Sequence, residues 1–177
     1  MIAVRAALLA SILAPSLVAA QTAPTAQPSR TGVIAAARDV MQSAAYCTFI
    51  TIGEDGQPQA RIVDPTLPDS NLTIWIGTNS LTRKVNQIRR DARVTLLYFH
   101  AASASYVTVL GRAALVTDAG EKERRWKASW APFYPNGFRG SDFTLIRVTP
   151  TRLEISSPSR QMPSDPKTWL PVVVEFP

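Results

Sequence analysis

The segment Thr78-Asn79-Ser80-Leu81-Thr82-Arg83-Lys84 gathers three hydroxyls, a carboxamide and two adjacent cations within seven residues. Hydroxyls and amides donate hydrogen bonds to anions, and Arg and Lys add charge, so this grouping suits a phosphate. The flanking pattern says how it would be positioned. Leu72, Ile74 and Ile76 alternate with Thr73 and Trp75, which predicts a strand. Leu81, Val85 and Ile88 then fall at helical spacing, which predicts a helix with Thr78, Asn79 or Ser80 as its N-cap. Arg83 and Lys84 would stand in the first turn, where cations oppose the helix dipole at roughly 0.3–1 kcal/mol each. Two readings follow from these residues alone. Either an anion occupies the helix N-terminus and reverses the penalty, or the helix carries a solvated basic face.

Other chemistry is scarce. Cys47 is the only cysteine, which rules out an intramolecular disulfide and leaves a structural zinc site short of ligands. It lies beside Phe49 and Ile50 in a β-rich run and is expected to be a buried, inert thiol. His100 is the only histidine and is read as a strand-end residue. No Gly-x-Ser-x-Gly nucleophile elbow accompanies it.

With 46% apolar and 18% charged residues among 177, the chain has the composition of a globular domain with a real core. Its net charge is +6, falling to +5 without Arg5. That favours anionic partners without selecting one. The first 20 residues read as a secretory signal peptide. Arg5 precedes the apolar run Ala6 to Leu13, and Val18-Ala19-Ala20 supplies the cleavage site, with the cut after Ala20. The run is short and interrupted by Pro15, which argues against a spanning helix, so no membrane anchor is expected after cleavage. There is no twin arginine and no lipoprotein cysteine. A periplasmic or secreted protein is the expectation. Residues 21–30 read as a flexible Pro/Ala/Gln/Thr linker, and residues 31–177 as a single domain.

Within that domain, Thr31 to Ala45 has helical periodicity, with Val33, Ala36, Ala37, Val40 and Met41 on one face. Cys47 to Ile52 and Pro58 to Val63 read as a hairpin around Glu54-Asp55-Gly56-Gln57. Arg93 to Phe99, Tyr106 to Val116 and Asp142 to Ser156 read as further strands, with Gly111 at a bulge and Pro150 at a bend or edge. Ala119 to Ser129 reads as a charged helix with Arg124 and Arg125 in solvent, and Trp169 to Phe176 as a short extended segment. Trp126, Trp130, Phe133 and Tyr134 form a cluster expected to pack the domain rather than wall a substrate pocket. There is no internal repeat and no regular β-α-β alternation. Six antiparallel strands interrupted by helices predict a mainly β, α+β fold: a small β-barrel with flanking helices.

The order of several stretches resembles the pyridoxamine 5′-phosphate oxidase-like flavoproteins. They are Glu54-Asp55-Gly56-Gln57-Pro58-Gln59-Ala60-Arg61, Ile74-Trp75-Ile76-Gly77-Thr78-Asn79 through Thr82-Arg83-Lys84, Tyr98-Phe99, and Tyr106 to Ala113. Trp126-Lys127-Ala128-Ser129-Trp130-Ala131-Pro132-Phe133-Tyr134-Pro135 is similar to the general-stress-protein branch. The resemblance spans about Ala35 to Ile155. It implies a six-stranded antiparallel split β-barrel that binds FMN at the interface of a homodimer. By position, it implies that Arg61 lies by the ribityl phosphate or ring and that Thr78 and Asn79 end a strand beside the flavin. Thr82 would give a hydroxyl to the phosphate, and Arg83 and Lys84 would supply charge. Arg112 could also reach the ligand from its strand. Tyr106 replaces a Gln common in the oxidases, and Arg152-Leu153-Glu154-Ile155 runs into Ser156-Ser157 rather than an aromatic pair. The C-terminal Arg/His substrate segment of true pyridoxamine phosphate oxidases is not recognisable.

The functional expectation is therefore an exported FMN-dependent oxidoreductase of unknown substrate, in which the flavin rather than a side chain carries the chemistry. FMN would be acquired outside the cytoplasm. The alternative is a non-catalytic module that stores or senses flavin or haem, with His100 as the one available axial ligand. Nucleic-acid binding through Arg83, Lys84, Arg89, Arg90 and Arg93 is disfavoured, because no aromatic residues for base stacking are interleaved with them.

Overall fold

The computed structural model describes residues 28–177. The leader, its cleavage point after Ala20 and residues 21–27 of the linker lie outside the described residues. The elements in order are α1 (Arg30–Ala44), β1 (Cys47–Ile52), β2 (Pro58–Val63), β3 (Ile74–Asn79), α2 (Arg83–Arg90), β4 (Arg93–His100), β5 (Ser105–Val116), α3 (Ala119–Arg125), β6 (Phe143–Ser156) and β7 (Val172–Glu175).

All strand pairs are antiparallel, and the sheet runs β2-β1-β4-β5-β6-β3, with short β7 added to β6. Six strands thus curl into a half-barrel whose two edges are β2 and β3, as the sequence predicts. A single Pro65–Ile76 bridge joins the edges just past β2. The barrel's curvature has a visible source in the longest pairing. The β5–β6 register shifts between Leu110 and Gly111, opposite Pro150. A Cβ on Gly111 would run into the Thr149 carbonyl, so only glycine fits this close approach.

One face of most strands fills the interior: Cys47 and Phe49 from β1, Ile74 and Ile76 from β3, Val94, Leu96 and Tyr98 from β4, Val107 and Val109 from β5, and Leu153 and Ile155 from β6. Helix α1 closes this core with Val33, Ala36, Ala37, Val40 and Met41. Burial pushes the Cys47 thiol up to about 12, so it is an inert core group. A second, smaller core lies outside the barrel, where Trp75, Trp130, Phe143 and Leu145 pack with Trp126, Tyr134 and Phe138. Trp126 meets Phe143 edge-on at 5.1 Å and Trp130 at 6.0 Å.

Several expectations need correction. The linker ends earlier than residue 30: Ser29 caps α1, and Arg30 is its first residue, donating to the Glu175 carbonyl at 2.7 Å. Leu72 adopts a left-handed conformation (φ 62°), so β3 begins only at Ile74. Leu81 is 86% exposed and precedes α2, so it does not share the buried face of Val85 and Ile88. Helix α3 stops at Arg125, and a 3-10 segment over Ala128–Phe133 follows. Phe133 is exposed and outside the aromatic core. Arg125 is not solvated. It lies 4.5 Å over the Trp75 ring and donates to Asp69 at 2.7 Å, while Trp75 Nε1 donates to the other Asp69 oxygen.

The seam between the two cores is narrow at Gly77, where an added Cβ would lie 2.8 Å from the Trp130 ring and 2.9 Å from Phe143. Gly77→Ala should therefore overpack the seam and lower the unfolding free energy by about 1–3 kcal/mol. Urea denaturation measures this. An unchanged midpoint would show that the aromatic core yields freely.

Candidate functional site

The basic cluster is assembled from three elements at one end of the half-barrel. Thr78 and Asn79 end β3, Thr82 is the N-cap of α2, Arg83 and Lys84 open that helix, and Arg61 comes from β2. The turn between strand and helix is set locally. Leu81 N–H donates to Asn79 Oδ1 at 2.8 Å, and Thr82 donates from both its backbone and hydroxyl to the Asn79 carbonyl. None of Thr78, Asn79 and Ser80 caps the helix. Thr82 holds that position, and its side chain makes no capping bond. Among the described residues, the Arg83 and Lys84 backbone N–H groups have no acceptor.

Lys84 Nζ donates to Thr78 Oγ1 at 3.0 Å, and Thr78 Oγ1 is 3.3 Å from Thr82 Oγ1. Because Thr82 already gives its proton to the Asn79 carbonyl, the chain of donation runs from Lys84 through Thr78 to Thr82. Arg61 is oriented by a network that sequence reasoning missed. Its guanidinium donates to Thr51 Oγ1 at 2.6 Å, to the Phe49 carbonyl at 3.2 Å and to Gln87 Oε1 at 3.1 Å. Thr51 also donates to Gln87 Oε1, and Gln87 Nε2 donates to Gln59 Oε1 at 2.7 Å. A signal existed in the sequence: Thr51 continues the inward parity of Cys47 and Phe49, and a polar residue there needs a buried partner.

Among the described residues, Arg61, Arg83 and Lys84 form no ion pair with a carboxylate. The electrostatics register the strain. Burial, and then the charge of Arg83, lowers the Arg61 pKa; burial, and then the charge of Arg61, lowers that of Lys84. Three like charges beside two hydroxyls and free helix N–H groups can hold a dianion once the hydroxyls turn toward it.

Two other expected participants sit elsewhere. Arg112 is exposed on the outer face of β5, in register with Arg93, and the two line a separate cavity of about 300 Å³. His100 ends β4 with Nδ1 2.8 Å from Ser103 Oγ. It lies six positions along the strand from Val94, the partner of Thr51, or roughly 20 Å away. Among the described residues, no group of three His, Cys, Asp or Glu side chains could hold a metal ion.

The family model for pyridoxamine 5′-phosphate oxidase matches residues 33–157. The chain belongs to the pyridoxamine 5′-phosphate oxidase family. No curated protein matches it. Among solved structures, a Clostridium acetobutylicum protein related to general stress protein 26 of B. subtilis superposes with a TM-score of 0.70 at 17% identity, covering 82% of this chain and 96% of that one. General stress protein 26 from Bacillus anthracis str. Sterne gives 0.61 at 14%, covering 78% and 98%. An FMN-binding, pyridoxamine 5′-phosphate oxidase-related protein from Nostoc punctiforme PCC 73102 gives 0.52 at 14%, covering 82% and 96%. These likenesses establish the split-barrel fold.

The lowered Lys84 pKa has a measurable consequence. A lysine that loses its proton more readily when folded leaves the unfolded chain with more bound protons, so stability rises with pH between the lowered folded value and the ordinary 10.5. Lys84→Met should flatten that rise. Urea unfolding at stepped pH in this window tests it, and identical slopes in the two proteins would place the effect elsewhere.

Proposed function

We propose that the chain is an FMN-dependent oxidoreductase, not a true pyridoxamine phosphate oxidase, that works as a homodimer in the periplasm or outside the cell. The observation that carries the flavin reading is the uncompensated trio Arg61, Arg83 and Lys84 around the Thr78 and Thr82 hydroxyls. An FMN phosphate would relieve the repulsion among these cations and supply the acceptors that the α2 N-terminus needs. Arg83, Lys84 and Thr82 would hold the phosphate, and Arg61, with Thr78 and Asn79, would border the rest of the cofactor. When bound, FMN supplies the redox chemistry through its isoalloxazine ring, which accounts for a site without an acid–base pair or nucleophile. The protein's part is binding, orientation and the local electrostatics.

The homodimer reading is supported by the outer face of the sheet. Ile62, Thr48 and Leu97 lie side by side across β2, β1 and β4, and Ile62 and Phe99 are 67% and 59% exposed. An apolar face of this kind is suited to a partner subunit. Export rests on the leader pattern of residues 1–20.

Arg83→Ala with Lys84→Ala should lower FMN affinity at least a hundredfold, since each charge-assisted hydrogen bond contributes about 1.5–3 kcal/mol. Circular dichroism should stay unchanged, because Arg83 is exposed and Lys84 half-buried at a helix end. Flavin absorbance after gel filtration reads the loss, and full retention would sink the phosphate assignment. Reduction of the bound flavin by NADH or NADPH would separate an oxidoreductase from a module that only holds the cofactor. Sedimentation equilibrium at micromolar concentration should give twice the chain mass; a monomer would remove the shared-site reading.

A further inference from the structure

The cavity of about 300 Å³ that Arg93 and Arg112 line lies on the outer face of the sheet, where β4 begins. Its floor follows from strand alternation. Ile50 and Ile52 of β1, Thr95 of β4 and Leu110 of β5 point away from the interior that Phe49, Val94, Leu96 and Val109 fill, and all four are half-buried. The register sets Ile50 beside Thr95 and Thr95 beside Leu110, so the floor is continuous across three strands. Gly111 and Thr151, at the β5–β6 irregularity, close one side. The volume is at the lower end of the range for small-molecule sites.

The rim carries an electrostatic anomaly. Arg93 and Arg112 are exposed and stand directly opposite each other across β4 and β5, a placement that destabilises a sheet when the charges are alike. Among the described residues, one carboxylate answers the pair. Asp91 accepts from Arg93 Nε at 3.0 Å and Nη2 at 2.6 Å, and from the Arg93 backbone N–H at 2.9 Å. These bonds hold the Asp91 carboxyl down at about 2, with a smaller pull from the charge of Arg112. Glu54, two residues beyond Ile52, pairs with Arg90 at 3.0 Å.

Arg112 itself forms no ion pair among the described residues, and neither does Arg147, which is exposed on β6 one diagonal step from it. The mouth of the cavity therefore keeps an excess positive charge above an apolar floor. The inner-face cluster offers three cations and two hydroxyls to a dianion. Here a single guanidinium stands uncommitted, which matches one singly charged head. A planar guanidinium meets a carboxylate through two parallel N–H···O bonds.

We propose that this cavity is a second ligand site, one that takes a small monocarboxylate with an apolar body. The carboxylate pairs with Arg112, and the body covers Ile50, Ile52 and Leu110. This assignment is independent of the flavin reading, because no residue of the basic cluster lines the cavity. The site borders the Ile62–Thr48–Leu97 row, since Leu97 is two positions along β4 from Thr95. A partner subunit seated over the cavity itself would exclude the ligand, so the assembled protein is the one to titrate.

The test is an NMR titration of the full chain with phenylacetate, phenylacetamide and acetate. Phenylacetate should shift the Ile50, Ile52 and Leu110 methyl signals and give nuclear Overhauser contacts to them. Arg112→Gln, which removes the charge at an exposed position, should weaken phenylacetate about tenfold. The same substitution should not lower the urea midpoint, because it relieves the repulsion from Arg93. Phenylacetamide, which has the same shape without the charge, should bind more weakly and ignore the substitution. Acetate, which lacks the body, should leave the methyl signals in place. Absence of phenylacetate contacts to these methyls in the unsubstituted chain would overturn the proposal, whatever the variant does. So would equal affinity in the Arg112→Gln chain, or a lowered midpoint there, which would make Arg112 a structural partner of Asp91.

Discussion

The side-chain amide of Gln87 is the link on which the basic site depends. It is buried on α2, and its oxygen accepts from Thr51 on β1 and Arg61 on β2 while its nitrogen reaches Gln59. One helix is thereby tied to the hairpin through donors and acceptors that would cost free energy if left unmade. The tie keeps the first turn of α2, with its two cations, near the guanidinium of Arg61. Like charges would separate if the backbone let them. Here hydrogen bonds and the packing of Val85 and Ile88 hold them together, and the repulsion remains as lowered pKa values on Arg61 and Lys84. A cluster of cations held in this way meets its electrostatic cost during folding rather than on meeting an anion.

Much of the fold was legible because it follows simple periods. Alternation marked β1, β2, β4, β5 and β6 to within a residue or so, and the spacing of Val33, Ala36, Ala37, Val40 and Met41 marked α1. The candidate site was legible in part, since Thr78, Thr82, Arg83 and Lys84 lie close together in sequence and Arg61 belongs to one of the stretches that carry the family resemblance. Thr51, Gln59 and Gln87 escaped because what joins them is a tertiary contact across 28 to 36 positions, which no local pattern reports. Leu81 misled for a related reason: its spacing fits the helix, but the Asn79 turn delays the helix start until Arg83 and leaves Leu81 in solvent. Arg125 looked like one more charge on a polar helix. Its role depends on Asp69 and Trp75, residues more than forty positions away whose approach the helix pattern cannot encode.

The two ends of the half-barrel have opposite chemical characters, and the same alternating strands produce both. Where β1 ends near Thr51 and β2 begins near Gln59, inward positions are polar and lead to the cations of α2. Where β1 begins at Cys47 and β4 nears its end at Tyr98, inward positions are apolar and α1 closes over them. A strand that changes character along its length lets one small domain keep a charged surface site and a dry interior within a few turns of chain.

The clasp at the ends of the described domain bears on how it comes together. Arg30 reaches Glu175 and stacks on Phe176, and Arg152 pairs with the Glu175 carboxylate, while Val174 enters the core that α1 covers. These partners are separated by as many as 145 positions. Helix α1 precedes β7 in the chain, yet part of the surface it packs against is supplied only by β7. Final seating of α1 therefore waits for β7, so a chain delivered from its N-terminus keeps an unfinished, accessible interior until that strand has followed.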